Sequence, residues 1–272
     1  MPTQLIQMTE NNPSQMMGYV FALEDGRFVV IDGGTRGDAE RLWAVLTENT
    51  DHPHVAAWIF THVHYDHVST FLELIEKHTA ELTVDRVLCD FPPQDFLDAY
   101  EPDFAFSGRE FTQMLPLFAD RMTTPKAGEV YTFGELTVEI LRNFDSHITR
   151  NAINNSSMIF AVTVCGQRYL FLGDLGVDGG KQLLSLCTPE QLRADVCQMA
   201  HHGQNGVSEE VYRAISPTIC LWDTPDWLWD CDNGGGKGSG PWKTLEVRGW
   251  MEKLGTRNIV NKDGVQRFTL PL

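Results

Sequence analysis

A chain of 272 residues with 42% hydrophobic and 21% charged side chains is long enough to bury a substantial core and is composed like an ordinary globular protein. Its 21 basic residues against 37 acidic ones, a net charge of −16, argue against non-specific binding to nucleic acid or anionic membranes, which needs clustered Lys and Arg. An anionic substrate is not excluded, because bound divalent cations would reverse the field locally.

In chain order, Gly18–Glu24 and Arg27–Ile31 read as a hairpin closed by a tight two-residue turn at Asp25-Gly26, with the second strand running into Asp32-Gly33-Gly34. Leu42, Trp43, Val45 and Leu46 predict a helix over 38–48. Val55–Phe60 is a short apolar strand, followed by a helix burying Phe71, Leu72, Leu74 and Ile75, then a strand over Val84–Cys89. Residues 91–126 change character: they are rich in Pro, Phe and Asp, with helical patches near 93–100 and 108–120. This stretch reads either as an insertion covering a site or as a peripheral packing element.

Strands return at 130–140 with a turn at Gly134, then at Met158–Val164, a turn at Cys165-Gly166-Gln167, and Tyr169–Leu172 leading to Gly173-Asp174. Helices near 177–186, 207–215 and 242–254 alternate with strands at Val196–Ala200, Thr218–Trp222 and 257–261. The Gly-rich segment 233–240 is a loop inside one domain, since apolar periodicity resumes beyond it. The two hairpins match loosely: each leads from Phe-Ala through a Gly turn to an apolar strand ending at an aspartate, Asp32 or Asp174. Mixed segments without strict βαβ alternation predict packed sheets with outer helices in a single domain, 1–272.

Six scattered cysteines without a CxxC pair predict free thiols in a reducing compartment. With no leader-like segment in Met1–Asn12 and no 18-residue apolar run, a cytoplasmic protein without a membrane span is expected.

The chemistry concentrates in Thr61-His62-Val63-His64-Tyr65-Asp66-His67. Imidazole and carboxylate together suit Zn²⁺, Fe or Mn²⁺, and two histidines two positions apart reach one cation from an extended loop. Asp66 and His67 are free to serve a second. Four residues cannot close two coordination spheres, so distant ligands are needed. Asp174 and His201-His202-Gly203 both follow apolar strands, and a carboxylate between two cations can bridge them.

His62-Val-His-Tyr-Asp-His67 matches the HxHxDH signature of the metallo-β-lactamase superfamily, and Asp32, Gly173-Asp174 and His201-His202-Gly203 fall in that family's order over essentially the whole chain. The chain resembles most the members with an Asn-rich segment before GD and HHG, as in DNA-uptake-channel-associated domains and choline-phosphate esterases. The resemblance implies an α/β (α+β) fold, the four-layer αββα sandwich, with the site at one edge of the sheets. It places His62 and His64 on a first metal, Asp66 and His67 on a second and Asp174 between them. His202 is the favoured remaining ligand and His201 faces substrate, a choice the sequence leaves open. Asp32 becomes an acidic support within the histidine loop. Zn²⁺ is the expected metal, with Mn²⁺ or Fe as alternatives.

One departure concerns the His that many members carry before the GD strand. Here the stretch is Asn151–Ser157, so the first metal's sphere is open or is completed by Asn155, His147 or water. The expected chemistry is hydrolysis by an acidified water, with Asp66 or His201 moving protons, on a small-molecule phosphoester, with a phosphodiester favoured. Lactone, thioester or amide hydrolysis, iron-dependent oxygen or sulfur handling, and a metal-degenerate binding module are the competing classes. Tyr65, within the histidine loop, and Trp227 and Trp229, with Asp226 or Asp230, are candidate substrate contacts; packing of these rings onto the core is the plainer alternative. Oligomeric state is left open.

Overall fold

The computed structural model describes residues 2–11 and 13–272. Seven strands of the first half, β1 (Gln4–Gln7), β2 (Gly18–Ala22), β3 (Phe28–Asp32), β4 (His54–Ile59), β5 (Thr83–Val84), β6 (Val87–Leu88) and β7 (Met122–Thr123), build one sheet. The second sheet contains β8 (Val130–Phe133), β9 (Leu136–Arg142), β10 (Ile159–Val164), β11 (Gln167–Phe171), β12 (Val196–Gln198), β13 (Ile219–Trp222) and β14 (Arg257–Val260). The last strand, β15 (Gln266–Thr269), crosses back to pair with β1 at the edge of the first sheet.

The two sheets share a plan. In the first, β1, β2 and β3 are antiparallel, and β3, β4, β6 and β7 continue in parallel. In the second, β8 to β11 are antiparallel and β11 to β14 are parallel. The loose likeness between the two hairpins therefore corresponds to equivalent places: β3 and β11 are where each sheet switches from antiparallel to parallel.

Helices α1 (Ala39–Leu46), α2 (Tyr65–Lys77), α3 (Gln94–Tyr100) and α4 (Phe106–Met114) belong to the first half. The second half carries α5 (Ala152–Asn155), α6 (Val177–Leu186), α7 (Pro189–Leu192), α8 (Glu209–Ile215), α9 (Asp226–Trp229) and α10 (Thr244–Leu254). Alternation in the strands sorts the core into three layers of contact. Val29, Ile31, Val138, Ile140, Phe160 and Phe171 fill the space between the sheets. Val30 and Trp58 face Leu42, Phe71 and Phe111 of the helices on one side, while Ala161 and Leu170 face Leu183, Val211 and Met251 on the other. Strands buried on both faces need apolar side chains at nearly every position, which is why they read as unbroken apolar runs. The result is the expected αββα sandwich.

Several boundaries differ from the sequence reading. The strand expected over Val84–Cys89 is two short strands, because the chain steps aside at Asp85-Arg86: Asp85 N–H donates to Val55 O and the Arg86 carbonyl accepts from Trp58 N–H. The first hairpin closes with Leu23 N–H donating to Arg27 O, so its loop is Glu24–Gly26 rather than two residues, with Gly26 at φ 85°. The later hairpin does turn in two residues: Cys165 and Gly166 have φ of 50° and 75°, as this tight turn requires. The strand expected to reach Ala200 stops at Gln198 and gives way to a 3₁₀ turn over Ala200–Gly203. Strands β1 and β15 and the one-turn helix α5 carry no pattern that marks them in the sequence.

The stretch 91–126 both packs and covers. Leu97, Phe111 and Phe118 enter the core and β7 extends the first sheet, while Glu101 and Phe104, between α3 and α4, stand on the wall of the site cavity.

Candidate metal centre

The centre lies beyond the ends of β3, β4, β11 and β12. Strand β4 delivers Thr61 and His62 into an extended loop. His64 caps α2, whose first turn carries Asp66 and His67, near the partial positive charge of the helix N-terminus. In the other sheet, Asp174 follows β11, and His201-His202 follows β12. The parallel pairs β3/β4 and β11/β12 thus present their carboxyl ends from both sheets to one place.

Two three-residue groups result, His62, His64, Asp174 and Asp66, His67, His202; within each, the ligating atoms lie within 4.8 Å of one another, and all six residues are buried. Asp174 stands between the groups: its carboxylate is 3.9 Å from His62 Nε2, 3.5 Å from His67 Nε2 and 3.3 Å from His202 Nε2. His202 Nε2 is also 3.3 Å from Asp66 Oδ2. His62 Nε2 faces His64 Nδ1 at 3.0 Å.

Anchors behind the ligands fix which nitrogen points inward. Asp32 accepts from Thr61 N–H at 2.8 Å and Thr61 Oγ1 at 2.7 Å, and its Oδ2 is 2.7 Å from His67 Nδ1. His202 Nδ1 lies 3.0 Å from the Asp223 carbonyl, and Thr224 Oγ1 donates to the His202 carbonyl at 2.7 Å. Gln15 Nε2 donates to Asp66 Oδ2 at 3.3 Å. The backbone is held in unfavourable conformations to make this happen: Asp32, His201 and His202 have φ of 50°, 51° and 54°. Such strain costs about 1–3 kcal/mol per residue and collects at functional sites. Gly203, at φ 73°, cannot carry a side chain, since a Cβ there would lie 2.3 Å from the Trp222 ring.

Burial dominates the ionisation, and the charges decide its outcome. Burial pushes the His62 ring well below the ordinary imidazole range and His64 down to about 4. For His202 burial also pulls downward, but Asp174 and Asp66 overcome it and hold the ring up to about 10. His67 is likewise raised against burial by Asp174 and Asp32. Asp174 would be raised by burial, yet His202 and His67 keep its carboxyl well below the usual range.

The donor set fits two divalent cations. The nitrogens His67 Nε2 and His202 Nε2 and the oxygen Asp174 Oδ1 are buried without a hydrogen-bond partner, although all three face the centre of the cluster. Leaving such groups unsatisfied costs several kcal/mol in total, roughly 1–3 each, unless ligation supplies the missing interaction. Neutral imidazole and carboxylate together suit Zn²⁺, Fe or Mn²⁺.

Other sequence candidates fare differently. His201 and Tyr65 line a cavity of about 490 Å³ over the centre, together with Asp66, Asp174, Gln15 and Trp227. Trp229 does not reach it; this ring packs edge-on to Trp222 at 5.2 Å, with the Arg248 guanidinium 3.9 Å from its centroid. Asp226 and Asp230 are turned to Lys262 and Lys237. His147 is 92% exposed and bound to Asp145, away from the cluster. Asn155 is buried but committed elsewhere: its Oδ1 accepts from Gly176 and Gly179 N–H at 3.1 and 2.9 Å, and its Nδ2 donates to Arg150 O. Both ends of the Asn155 amide, expected as a ligand of the first metal, are thus taken up, the oxygen by the start of α6 and the nitrogen by the Arg150 carbonyl, which turns it away from that role. Gln15, Glu101, Phe104, Asn154 and the carbonyl of Asp223 were missed, since they come from separate loops with no local motif to mark them.

Residues 15–217 match the model of the metallo-beta-lactamase superfamily. No curated protein matches the chain significantly. Among solved structures, the metallo-beta-lactamase fold protein YhfI from Bacillus subtilis aligns with TM-score 0.56 and 12% identity over 96% of both chains. The diiron β-hydroxylase CmlA from Streptomyces venezuelae aligns with TM-score 0.58 and 14% identity over 99% of this chain, which spans 54% of CmlA. Zn²⁺-bound PqqB from Methylobacterium extorquens aligns with TM-score 0.53 and 11% identity, over 95% of this chain and 89% of that one. At these identities the likeness establishes the fold. No helix among the described residues is long and apolar enough to cross a membrane.

Proposed function

We propose that this chain, which belongs to the metallo-β-lactamase superfamily, is a metal-dependent hydrolase of small phosphoesters, with phosphodiesters as the preferred class. The observation that supports hydrolysis is the place of Asp174, a buried carboxylate with an unpartnered oxygen between two groups of ligating side chains. His62, His64 and Asp174 would hold one cation and Asp66, His67 and His202 the other. Bound there, the cations would supply Lewis acidity and an acidified water.

The protein's own groups do the rest. His201, kept neutral by burial, stands on the cavity wall with Nε2 3.8 Å from Asp174 and moves a proton to or from the reacting oxygen. Asp66, also on the wall, is held ionised against the effect of burial by the nearby His202, whose Nε2 is 3.3 Å from its Oδ2, and by His67. Tyr65, Phe104 and Trp227 offer rings against which the substrate's organic portion packs. The described wall residues include Asp66, Asp174 and Glu101 but neither Lys nor Arg. That balance favours a singly charged diester over a doubly charged monoester, because nothing but the cations would neutralise the extra charge.

The test is turnover of chromogenic phosphodiester, phosphomonoester, lactone and thioester substrates by protein loaded with Zn²⁺, Mn²⁺ or Fe²⁺, with metal content measured in parallel. Diester turnover that exceeds the others and disappears with chelator is expected. Faster lactone or thioester cleavage would move the substrate to that class. Iron-dependent oxygen consumption without hydrolysis would replace the hydrolase reading with an oxygen-handling one.

A further inference from the structure

Each group holds three residues, but Asp174 also reaches His67 and His202 of the second, which leaves the first the poorer in donors. Asn155 is committed to the backbone around α6, as described above. Its neighbour Asn154 is in a different situation. It is 5% exposed, lines the same cavity as His64, Asp174 and His201, and its Oδ1 is buried with no hydrogen-bond partner. The other end of its amide is fixed, with Nδ2 donating to Asn151 Oδ1 at 2.9 Å, so the oxygen is the atom left over. The segment is held against the histidine loop: Met158 N–H donates to Thr61 O at 2.7 Å, and Ser157 Oγ accepts from Asp174 N–H at 3.1 Å. Successive residues on a helical turn point about 100° apart, so when Asn155 faces α6 the adjacent side chain is free to face the centre.

We propose that Asn154 Oδ1 is the oxygen ligand that completes the first cation position alongside His62, His64 and Asp174. This rests on the two-cation reading above but not on the substrate. The position then has two nitrogen and two oxygen donors, one of them a neutral amide. Harder cations such as Mn²⁺ and Fe²⁺ tolerate that set better than Zn²⁺ does. The first position is selected by metal type, while the second, with two imidazoles anchored from behind, is not.

Metal titrations of the full-length apoprotein with Mn²⁺ and with Zn²⁺, read by calorimetry and by Mn²⁺ paramagnetic resonance, test this without any substrate. Asn154→Ala should weaken one of two equivalents by about 10-fold or more while leaving the other unchanged. Asn154→Asp should tighten that equivalent for Mn²⁺, and Asn154→His should shift its preference toward Zn²⁺. Asn155→Ala should lower the Tm with both affinities retained. Two unchanged equivalents in a folded Asn154→Ala protein would overturn the assignment, as would Asn154→Asp and Asn154→His variants with unaltered metal preference. Because the readout is metal affinity, the assignment can stand even if phosphodiesters prove to be the wrong substrates, and can fall while they prove right.

Discussion

The two sides of the centre are built to different standards. On the second side, His67 is held from behind by Asp32, His202 by the Asp223 carbonyl and Asp66 by Gln15 and the start of α2. On the first side, His62 has Thr61 Oγ1 3.1 Å from its Nδ1, but the outer nitrogen of His64, Nε2, is buried without a partner, with the Phe104 ring 5.4 Å away. Ligands locked before binding lose less freedom when the cation arrives, and their donors are more basic. The contrast teaches that a binuclear motif can encode one preorganised position and one adjustable position.

The largest expected effect comes from the residue the two sides share. Asp174→Asn should remove both metal equivalents by elemental analysis and reduce turnover by about 10³-fold or more, since several kcal/mol of transition-state stabilisation depends on the cations. Full activity in that variant would end the bridging role. Next, His202→Ala and His64→Ala should each lose one equivalent, but from different sides: the former the tighter, the latter the weaker. Equal residual affinities would show that the two positions are alike after all.

A smaller change is expected from Asp32→Asn, which leaves all ligands in place but weakens the hold on His67. Metal affinity at the second position should drop about 10–100-fold, while the first changes little. Loading should also release protons near neutral pH. In the metal-free protein, burial lowers His202 but Asp174 and Asp66 hold it up to about 10, so its ring is protonated at pH 7 and must give up a proton to ligate. Affinity at that position should therefore rise with pH toward about 10, and calorimetry in buffers of different ionisation enthalpy should detect the released proton; identical heats would contradict it. The smallest effects separate two tryptophans. Trp227→Ala should raise KM with a modest change in Tm, whereas Trp229→Ala should cost about 2 kcal/mol of stability through lost packing on Trp222 and Arg248, with KM retained.

Much of this centre was legible because its signals are local. His62, His64, Asp66 and His67 are confined to six residues, and Asp174 and His201-His202 each follow an apolar run that could only be a buried strand. The sandwich was legible for the same reason: unbroken apolar strands demand cover on both faces. What failed were features set by pairing between distant segments. Strands β1 and β15 are four residues each and carry little pattern of their own; they form because β1 pairs with β2 and β15 pairs with β1.

The sequence by itself determined which chemistry the protein carries, since the residue types and their strand-end positions specify cation ligation without reference to the rest of the chain. Only the tertiary structure decided how each side chain is used. Asn154 and Asn155 are indistinguishable as letters, yet one amide is spent on the backbone of α6 and the other keeps a buried oxygen at the cavity. Trp227 and Trp229 divide the same way between cavity and core. The physical reason is directional: on one turn of helix, a shift of one or two residues rotates the side chain by about 100–200°, and what it then meets comes from segments far away in the chain.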